Sequence, residues 1–241
     1  MNKLFSFLAT LTAFLLVYGL YQALVAAPTE RTMGDVQRIF YYHVPSAWTA
    51  FCLFFTNLIA SIVYLVRRNI KADALAVASA EVGVVFCTIV LVTGPIWARP
   101  VWGIWWTWDL RLTTTLVLWL IYVSYLVLRR FSDTAQTPIL AAVLAVFGAL
   151  DVPLVYFSIW FFRTQHPRPV MGGGGSLDPR MLHAFLINLL AFSCFGAMVC
   201  WARVRLELLR REVEEAHAME SLAGADAAGA KPSLPLNRSS R

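Results

Sequence analysis

The sequence predicts an all-α, polytopic integral membrane protein with six transmembrane helices and both termini in the cytoplasm. The prediction depends on the composition, on six long apolar segments and on the distribution of lysine and arginine. Of the 241 residues, 59% are hydrophobic and only 14% are charged, whereas soluble domains have about 45–50% apolar and about 25% charged residues. This composition excludes a disordered chain and a disulfide scaffold, and it disfavours a water-soluble globular domain.

Six apolar segments have about the length that a helix needs to cross the hydrocarbon core of a bilayer. They are Phe5 to Ala27, Trp48 to Val66, Leu75 to Val92, Thr113 to Leu128, Ile139 to Phe157 and Leu182 to Ala202. Because they are continuous and do not alternate apolar with polar residues, they predict helices and not the strands of a membrane barrel. The first segment is longer than the apolar region of a secretory signal, so we interpret it as an uncut anchor.

The lysine and arginine residues predict the orientation. With the N-terminus inside, thirteen of the 20 fall on the cytoplasmic side and seven on the opposite side, as the positive-inside rule requires. The outer loops are then 28–47, 93–112 and 158–181. Residues 1–212 form the predicted membrane domain. The segment 213–241 is rich in Ala, Gly, Ser, Pro and charge, so we expect a disordered cytoplasmic tail.

The net charge and the cysteines exclude little by themselves. A net charge of +6 fits basic cytoplasmic loops better than a nucleic-acid-binding surface, and no compact basic and aromatic patch is visible. We expect no nucleic-acid partner. The four cysteines all lie in apolar runs without a Cys-x-x-Cys pair, so we interpret them as small buried apolar residues.

The second outer loop, about 93–113, is the most informative part of the chain. Five of the nine tryptophans lie between positions 97 and 108. Indole side chains favour the membrane interface, so an aromatic belt is one interpretation. Five indoles in one loop exceed a belt, however, and predict a platform on which a flat, mainly apolar ligand stacks. Arg99 and Arg111 suit carboxylates at the rim of that platform.

Two histidines give a second signal. His43 precedes the second span and His183 begins the sixth, so the predicted topology places both on the outer side at similar depth. Two imidazoles near an indole platform fit the two axial positions of a haem iron, although a structural role remains the alternative for a lone interfacial histidine. His166, in the third outer loop, is a weaker candidate for a ligand or partner contact, and we expect His217 to be solvated.

The run from Trp102 to Thr113 reads WGIWWTWDLRLT. It resembles the tryptophan-rich "WWD" signature of the CcmC family of haem-handling proteins, and so long a signature is highly specific. The resemblance covers about residues 5–205 and excludes the tail. It also includes Thr93-Gly94, Trp97, Pro100 and the segment His43-Val44-Pro45-Ser46-Ala47-Trp48.

The resemblance implies that haem b binds on the periplasmic face with its edge on the tryptophan loop. His43 and His183 match the two axial histidines of the family, and haem iron is the only metal implied. The residues expected to contact haem or to shape its site, including the two arginines suggested by charge, are Trp97, Arg99, Trp102, Trp105, Trp106, Trp108, Asp109 and Arg111.

The function implied by the resemblance is haem handover in the bacterial inner membrane and not enzymatic turnover. The protein would present haem to a chaperone of the CcmE type during c-type cytochrome maturation. Its other expected partners are ABC-transporter subunits of the CcmA and CcmB type and a single-span protein of the CcmD type. ATP hydrolysis would belong to a partner, because this sequence has no Gly-x-x-x-x-Gly-Lys motif.

Three alternatives remain. An electron-transfer membrane cytochrome would carry histidines at bilayer depth, often two for each haem. A haem-transporting channel would have polar groups near the midplane, whereas the strong motifs here lie on one side. A structural subunit would tolerate replacement of the two histidines and the tryptophans.

A few polar residues lie inside the predicted spans. Asp151 stands where the CcmC family often has a neutral residue, and an intramembrane carboxylate is usually functional or paired. Pro153 should loosen the helix beside it. For Asn57, Glu81 and Asn188 we expect hydrogen bonds between helices.

Overall fold

The computed structural model describes residues 3–132, 134–162, 165–166 and 177–229. These residues form seven α-helices and no strand. The helices are α1 (Lys3–Tyr21), α2 (Phe40–Arg67), α3 (Ile70–Trp102), α4 (Leu110–Phe131), α5 (Thr137–Ala149), α6 (Asp151–Phe161) and α7 (Pro179–Gly229). A π-helical turn, Gln22–Ala26, extends α1, and a 3₁₀ turn, Asp35–Ile39, leads into α2.

All six predicted spans are confirmed as helices long and apolar enough to cross a membrane, with α5 and α6 together forming the fifth. The second and third helices are longer than predicted. The second helical segment begins at Asp35, upstream of the predicted Trp48, and α3 continues to Trp102 in place of Val92. The sequence suggested loops in these regions because they contain proline. Pro45, Pro95 and Pro100 all lie inside helices, however.

Intramembrane amides join the helices, as the sequence predicted. Asn57 of α2 is fully buried, and its Nδ2 donates to the carbonyl oxygen of Ala76 in α3 at 2.7 Å. Asn188 of α7 donates to the carbonyl of Gly19 in α1 at 3.0 Å. A side chain at position 19 would force Asn188 to shift, because its Cβ would lie 2.9 Å from Asn188 Oδ1. These bonds fix close helix contacts that apolar packing alone would leave less specific.

Two ion pairs connect α3 to its neighbours. Arg129 of α4 binds Asp73 through both terminal nitrogens, at 2.9 and 2.6 Å, and both side chains are largely buried. Glu81 accepts from Arg203 of α7 at 2.6 Å, which confirms the predicted interhelical role of Glu81. Bidentate arginine–carboxylate pairs combine charge with fixed geometry, so α3 has a defined rotation within the bundle.

The tryptophan loop is shorter than the predicted 93–113. The first ten of these residues continue α3, and Pro95 and Pro100 lie inside this helix. Gly103 ends α3 with φ +80°, a left-handed conformation, and its N–H donates to the Arg99 carbonyl at 3.0 Å. Non-helical backbone is confined to 103–109, and α4 begins at Leu110. The tryptophans are thus divided between a helix end and a short loop.

The fifth span is interrupted near its middle. α5 ends at Ala149 and α6 begins at Asp151, with Leu150 between them in a turn. Pro153 has no N–H to donate to Ala149, which explains the interruption. The predicted loosening near Pro153 is therefore present. Asp151 is 9% exposed, and its Oδ2 has no hydrogen-bond partner among the described residues.

The chain divides into two compact units, Met1–Val204 and Arg205–Arg241. We expected the membrane domain to end at 212 and a disordered tail to follow, and α7 continues through this segment to Gly229. Arg210 pairs with Glu214 and Arg211 with Glu207, both at helical i,i+4 spacing. Such pairs and the many alanines favour a helix. Residues 230–241 lie outside the described part.

Candidate functional site

A cavity of about 420 Å³ lies at one end of the first unit, between α2, α3, α4 and α6. Its deeper wall is apolar, with Phe51, Val90, Leu91 and Val155 among the lining residues. The thiol of Cys87 also lines it, and that cysteine is buried as predicted, whereas Cys52 is exposed. Transfer of a ligand with a large apolar surface from water to such a wall is favourable.

A second cavity, of about 570 Å³, adjoins the first. The two share several wall residues, which are Glu30, Met33, His43, Ala47, Phe51, Trp97, Arg111 and His166. The second cavity is more polar, because Arg31, Asp178 and Arg180 also line it. The two cavities together offer an apolar interior next to a charged rim, which suits an amphiphilic ligand.

His43 stands between the two cavities. It lies in the second turn of α2 and is 7% exposed. Its Nδ1 is 2.8 Å from the hydroxyl of Thr93 in α3, and its ring meets the Trp97 ring edge-on at 5.8 Å. The structure therefore places His43 at the predicted site, with a fixed ring orientation.

His166 is the histidine that the structure brings opposite His43. The two ring centroids are 6.4 Å apart with an interplanar angle of 30°, and the Trp102 ring lies 6.3 Å from His166. The separation exceeds that of rings in direct stacking contact, which is about 4 Å. By its place in the sequence, His166 was a weaker candidate than His183. The available signal was its place on the same predicted outer side as His43.

His183 lies elsewhere. It is in the first turns of α7, its side chain is exposed, and its Nε2 is 3.5 Å from the Tyr18 hydroxyl of α1. It lines neither cavity. The structure thus does not bring His183 together with the predicted tryptophans. Its neighbours Met181 and Phe185 line the second cavity, so His183 lies at a similar depth, but depth does not determine which way a helical side chain points.

The tryptophans fall into two groups. Trp97, Trp102 and Trp106 line the 420 Å³ cavity. Trp105 and Trp108 are 59% and 76% exposed and line neither cavity. Only the first group is placed to contact a ligand in the cavities, and the second has the exposure typical of an interfacial belt.

Three buried hydrogen-bond donors of the cavity wall have no partner among the described residues. They are Nε1 of Trp97, Nε1 of Trp106 and Nη1 of Arg111. An unsatisfied buried donor costs roughly 1–3 kcal/mol, so these three donors are available to acceptors of water or of a ligand in the cavity. Carboxylates are the acceptors that a guanidinium favours most.

Two other predicted site residues have roles in the backbone. Arg99 is exposed and donates through Nη1 to the carbonyl of Gly103, at the end of α3. Asp109 caps α4, where its Oδ1 accepts from the backbone N–H of Leu112 at 2.9 Å. Neither residue lines a cavity. Both shape the tryptophan loop, because they fix the helix ends on its two sides.

The rim of the second cavity carries carboxylates that remain ionised. The backbone N–H of Met33 holds the pKa of Glu30 below its ordinary value, and Arg180 lowers the pKa of Asp178 through a side-chain hydrogen bond. With Arg31 and Arg180 nearby, the rim has charge of both signs. Of the remaining predicted features, Asp151 lines neither cavity.

Comparisons with known proteins agree on one family. A family model described as "Heme exporter protein C" (CcmC) matches residues 1–219. The chain is 37% identical over 222 residues to heme exporter protein C of Bradyrhizobium diazoefficiens, covering 91% of this chain and 84% of the relative. It is 32% identical over 187 residues to heme exporter protein C of Escherichia coli K12, covering 77% of this chain and 76% of the relative.

A plant relative extends the similarity beyond bacteria. The putative cytochrome c biosynthesis ccmC-like mitochondrial protein of Marchantia polymorpha is 31% identical over 170 residues, or 70% of this chain and 72% of the relative. The family match covers all six spans and both cavities, so it includes every residue of the candidate site. The chain therefore belongs to the heme exporter protein C (CcmC) family.

Proposed function

We propose that this protein binds haem in the two adjoining cavities and presents it to a partner during c-type cytochrome maturation. The names of the relatives support haem export and cytochrome c biosynthesis as its field of action. The observation that carries the proposal is the pair of His43 and His166 in the wall that both cavities share, with their ring centroids 6.4 Å apart. We infer no enzymatic turnover by this chain.

His43 and His166 are the proposed ligands of the haem iron. Neutral imidazole nitrogens are suitable ligands for iron, and both side chains line the wall that the two cavities share. Their ring centroids are 6.4 Å apart, so a nitrogen of each ring could reach the same metal. The sequence suggested His183 as the second ligand, and we propose His166 in its place, since His183 contacts Tyr18 and lines neither cavity.

The remaining wall fits haem on chemical grounds. The apolar part suits the macrocycle, and Trp97, Trp102 and Trp106 offer ring faces and edges to it. The unpartnered donors of Trp97, Trp106 and Arg111 suit propionate carboxylates. When bound, haem would supply the iron and the vinyl groups that a downstream acceptor uses. The chain itself would orient the macrocycle, hold the iron with neutral imidazoles and exclude water.

The handover part of the proposal concerns partners. We propose a chaperone of the CcmE type as the recipient, and transporter subunits of the CcmA and CcmB type with a CcmD-type protein as the assembly. Exchangeable histidine bonds to iron would permit release, and a partner's ATP hydrolysis would drive it. The distribution of basic residues supports a periplasmic position of the cavities in the bacterial inner membrane, with both termini in the cytoplasm.

Absorption spectra of the full chain in lipid nanodiscs, loaded with haem b, test the iron ligands. We expect a low-spin spectrum for the wild type and a high-spin or weakened spectrum for His43→Ala and His166→Ala. His183→Ala should keep the wild-type spectrum, and His217→Ala serves as a matched control in the second unit. Loss of the low-spin spectrum in His183→Ala but not in His166→Ala would refute the assignment. Absence of haem binding by the wild type, with its partners present, would refute the proposed function.

A further inference from the structure

We infer that Thr93 is a positioning residue that fixes the tautomer of His43, so that Nε2 is the nitrogen available to a metal. The inference rests on the proposed function for its consequence, haem binding, but not for the tautomer itself. Thr93 lies on α3, nine residues before the end of the helix at Trp102, and faces His43 across the contact between α2 and α3.

The hydrogen-bond partners of the Thr93 hydroxyl decide the direction of the bond. Its Oγ1 is 2.6 Å from the carbonyl oxygen of Ile89, 3.5 Å from that of Val90 and 2.8 Å from His43 Nδ1. A hydroxyl has one proton and two acceptor lone pairs. Two oxygens at 2.6 Å require a proton between them, so the hydroxyl donates to Ile89. It can then only accept from His43, and Nδ1 must carry the ring proton.

The neutral ring follows from this assignment. With its proton on Nδ1, an uncharged imidazole has an unprotonated Nε2, which is the form that binds a metal. Two other residues of α3 lie beside the ring. Trp97 meets it edge-on at 75°, and Gly94, the residue after Thr93, is close enough that an added Cβ would be in ordinary contact with His43 Cε1, at 3.5 Å. Because Nδ1 is engaged by Thr93, Nε2 is the nitrogen left for the cavities that His43 lines.

The hydroxyl is a moderate acceptor, and this affects the strength of the iron bond. Metal-bound histidines usually donate their second N–H to a carboxylate, a backbone carbonyl or water, which orients the ring and raises its basicity. A threonine hydroxyl orients the ring but carries no charge, so it increases the basicity less than a carboxylate does. That balance suits a protein that must hold haem and then release it.

Nitrogen chemical shifts of the histidines, measured on the haem-free full chain, test the inference directly. The full chain is labelled with ¹⁵N-histidine and studied in lipid nanodiscs at about pH 8.5, about two units above the ordinary histidine pKa. His43→Gln identifies the signals of His43. We expect a protonated Nδ1 and an unprotonated Nε2 in the wild type. Thr93→Val should shift the population toward the Nε2–H form, and Thr93→Ser should restore the wild-type signals.

A matched control distinguishes tautomer control from a general effect on helix structure. Thr56 of α2 donates to the carbonyl of Cys52 at 2.8 Å in the same i−4 geometry, and it lines neither cavity. Thr56→Val should leave the His43 signals unchanged. If the wild-type chain carries the proton on Nε2 of His43, the inference is wrong. This result requires no variant, so it holds even if Thr93→Val misfolds.

Haem titration separates this inference from the proposed function. We expect Thr93→Val to weaken haem binding by about 10- to 100-fold, the usual effect of removing such a supporting bond, and Thr93→Ser to retain it. Equal affinity in the wild type and Thr93→Val overturns the positioning role. If the wild type has the expected tautomer but binds no haem, the proposed function fails and the assignment of Thr93 to His43 stands.

Discussion

Replacement of Arg111 by methionine removes a charge from the cavity wall and keeps an unbranched apolar side chain. Nη1 of Arg111 is buried and has no partner among the described residues, so its partner is expected to be a ligand acceptor. A hydrogen bond to a charged group contributes about 1.5–3 kcal/mol. Because 1.4 kcal/mol corresponds to a tenfold change, Arg111→Met should raise the dissociation constant for haem by about 10- to 150-fold.

Comparison of haem with its dimethyl ester identifies the cause of the weaker haem binding in Arg111→Met. The diester keeps the iron and the macrocycle but has no ionised carboxylates. Both ligands are titrated into the full chain in nanodiscs, and binding is followed by the Soret absorbance. Arg111→Met should weaken binding of haem over the range given above and leave binding of the diester nearly unchanged.

Arg99→Met is the matched control, because Arg99 is exposed, donates to the carbonyl of Gly103 and lines neither cavity. We expect it to change neither affinity. An equal loss for haem and diester in Arg111→Met would show that Arg111 acts by packing and would refute the carboxylate assignment. A selective loss of haem in Arg99→Met would place the carboxylates at the end of α3.

Three further predictions concern the supports of the site. Arg129→Met leaves the largely buried carboxylate of Asp73 without its bidentate partner and should lower the free energy of unfolding by about 3–5 kcal/mol, measured by denaturation in mixed micelles. Gly19→Ala puts a Cβ 2.9 Å from Asn188 Oδ1 and should cost about 1–3 kcal/mol in the same assay. Asp109→Ala removes the cap of α4 and should cost about 1 kcal/mol.

Each of these has a control of its own. Arg210→Met breaks a pair that is more than half exposed and should cost under about 0.5 kcal/mol; a similar cost for Arg129→Met would remove the argument from burial. Asn188→Ala should relieve the effect of Gly19→Ala, and additive losses would mean that the two residues do not collide. Asp109→Asn should keep the cap, so a loss equal to that of Asp109→Ala would point to a role for the charge.

The membrane architecture could be predicted from the sequence because it depends on local composition. Each span needs about 20 apolar residues, and that requirement is met or not met within one segment of chain. All six spans were found in this way. The helix ends were less accurate, since Pro45, Pro95 and Pro100 have the composition of a loop but are tolerated in helices packed against neighbours.

The tail contains two opposing local signals. Small and charged residues suggest disorder after position 213, whereas the described residues are helical to Gly229. Alanine, glutamate and arginine have high helix propensity, and their i,i+4 pairing was visible in the sequence. The prediction of disorder gave more weight to the composition of the last residues than to this helical signal.

The sequence by itself determined the class of protein and the tryptophan loop, and it singled out His43 as a candidate ligand. It could not determine which second histidine lies near His43, because His166 and His183 belong to the same end of the bundle by hydropathy. Only the tertiary structure separates them. His166 follows α6 and comes within 6.4 Å of His43, whereas α7 turns His183 toward Tyr18. The reason is physical: hydropathy fixes how deep a residue lies in the membrane, whereas helix packing and rotation fix the direction of its side chain.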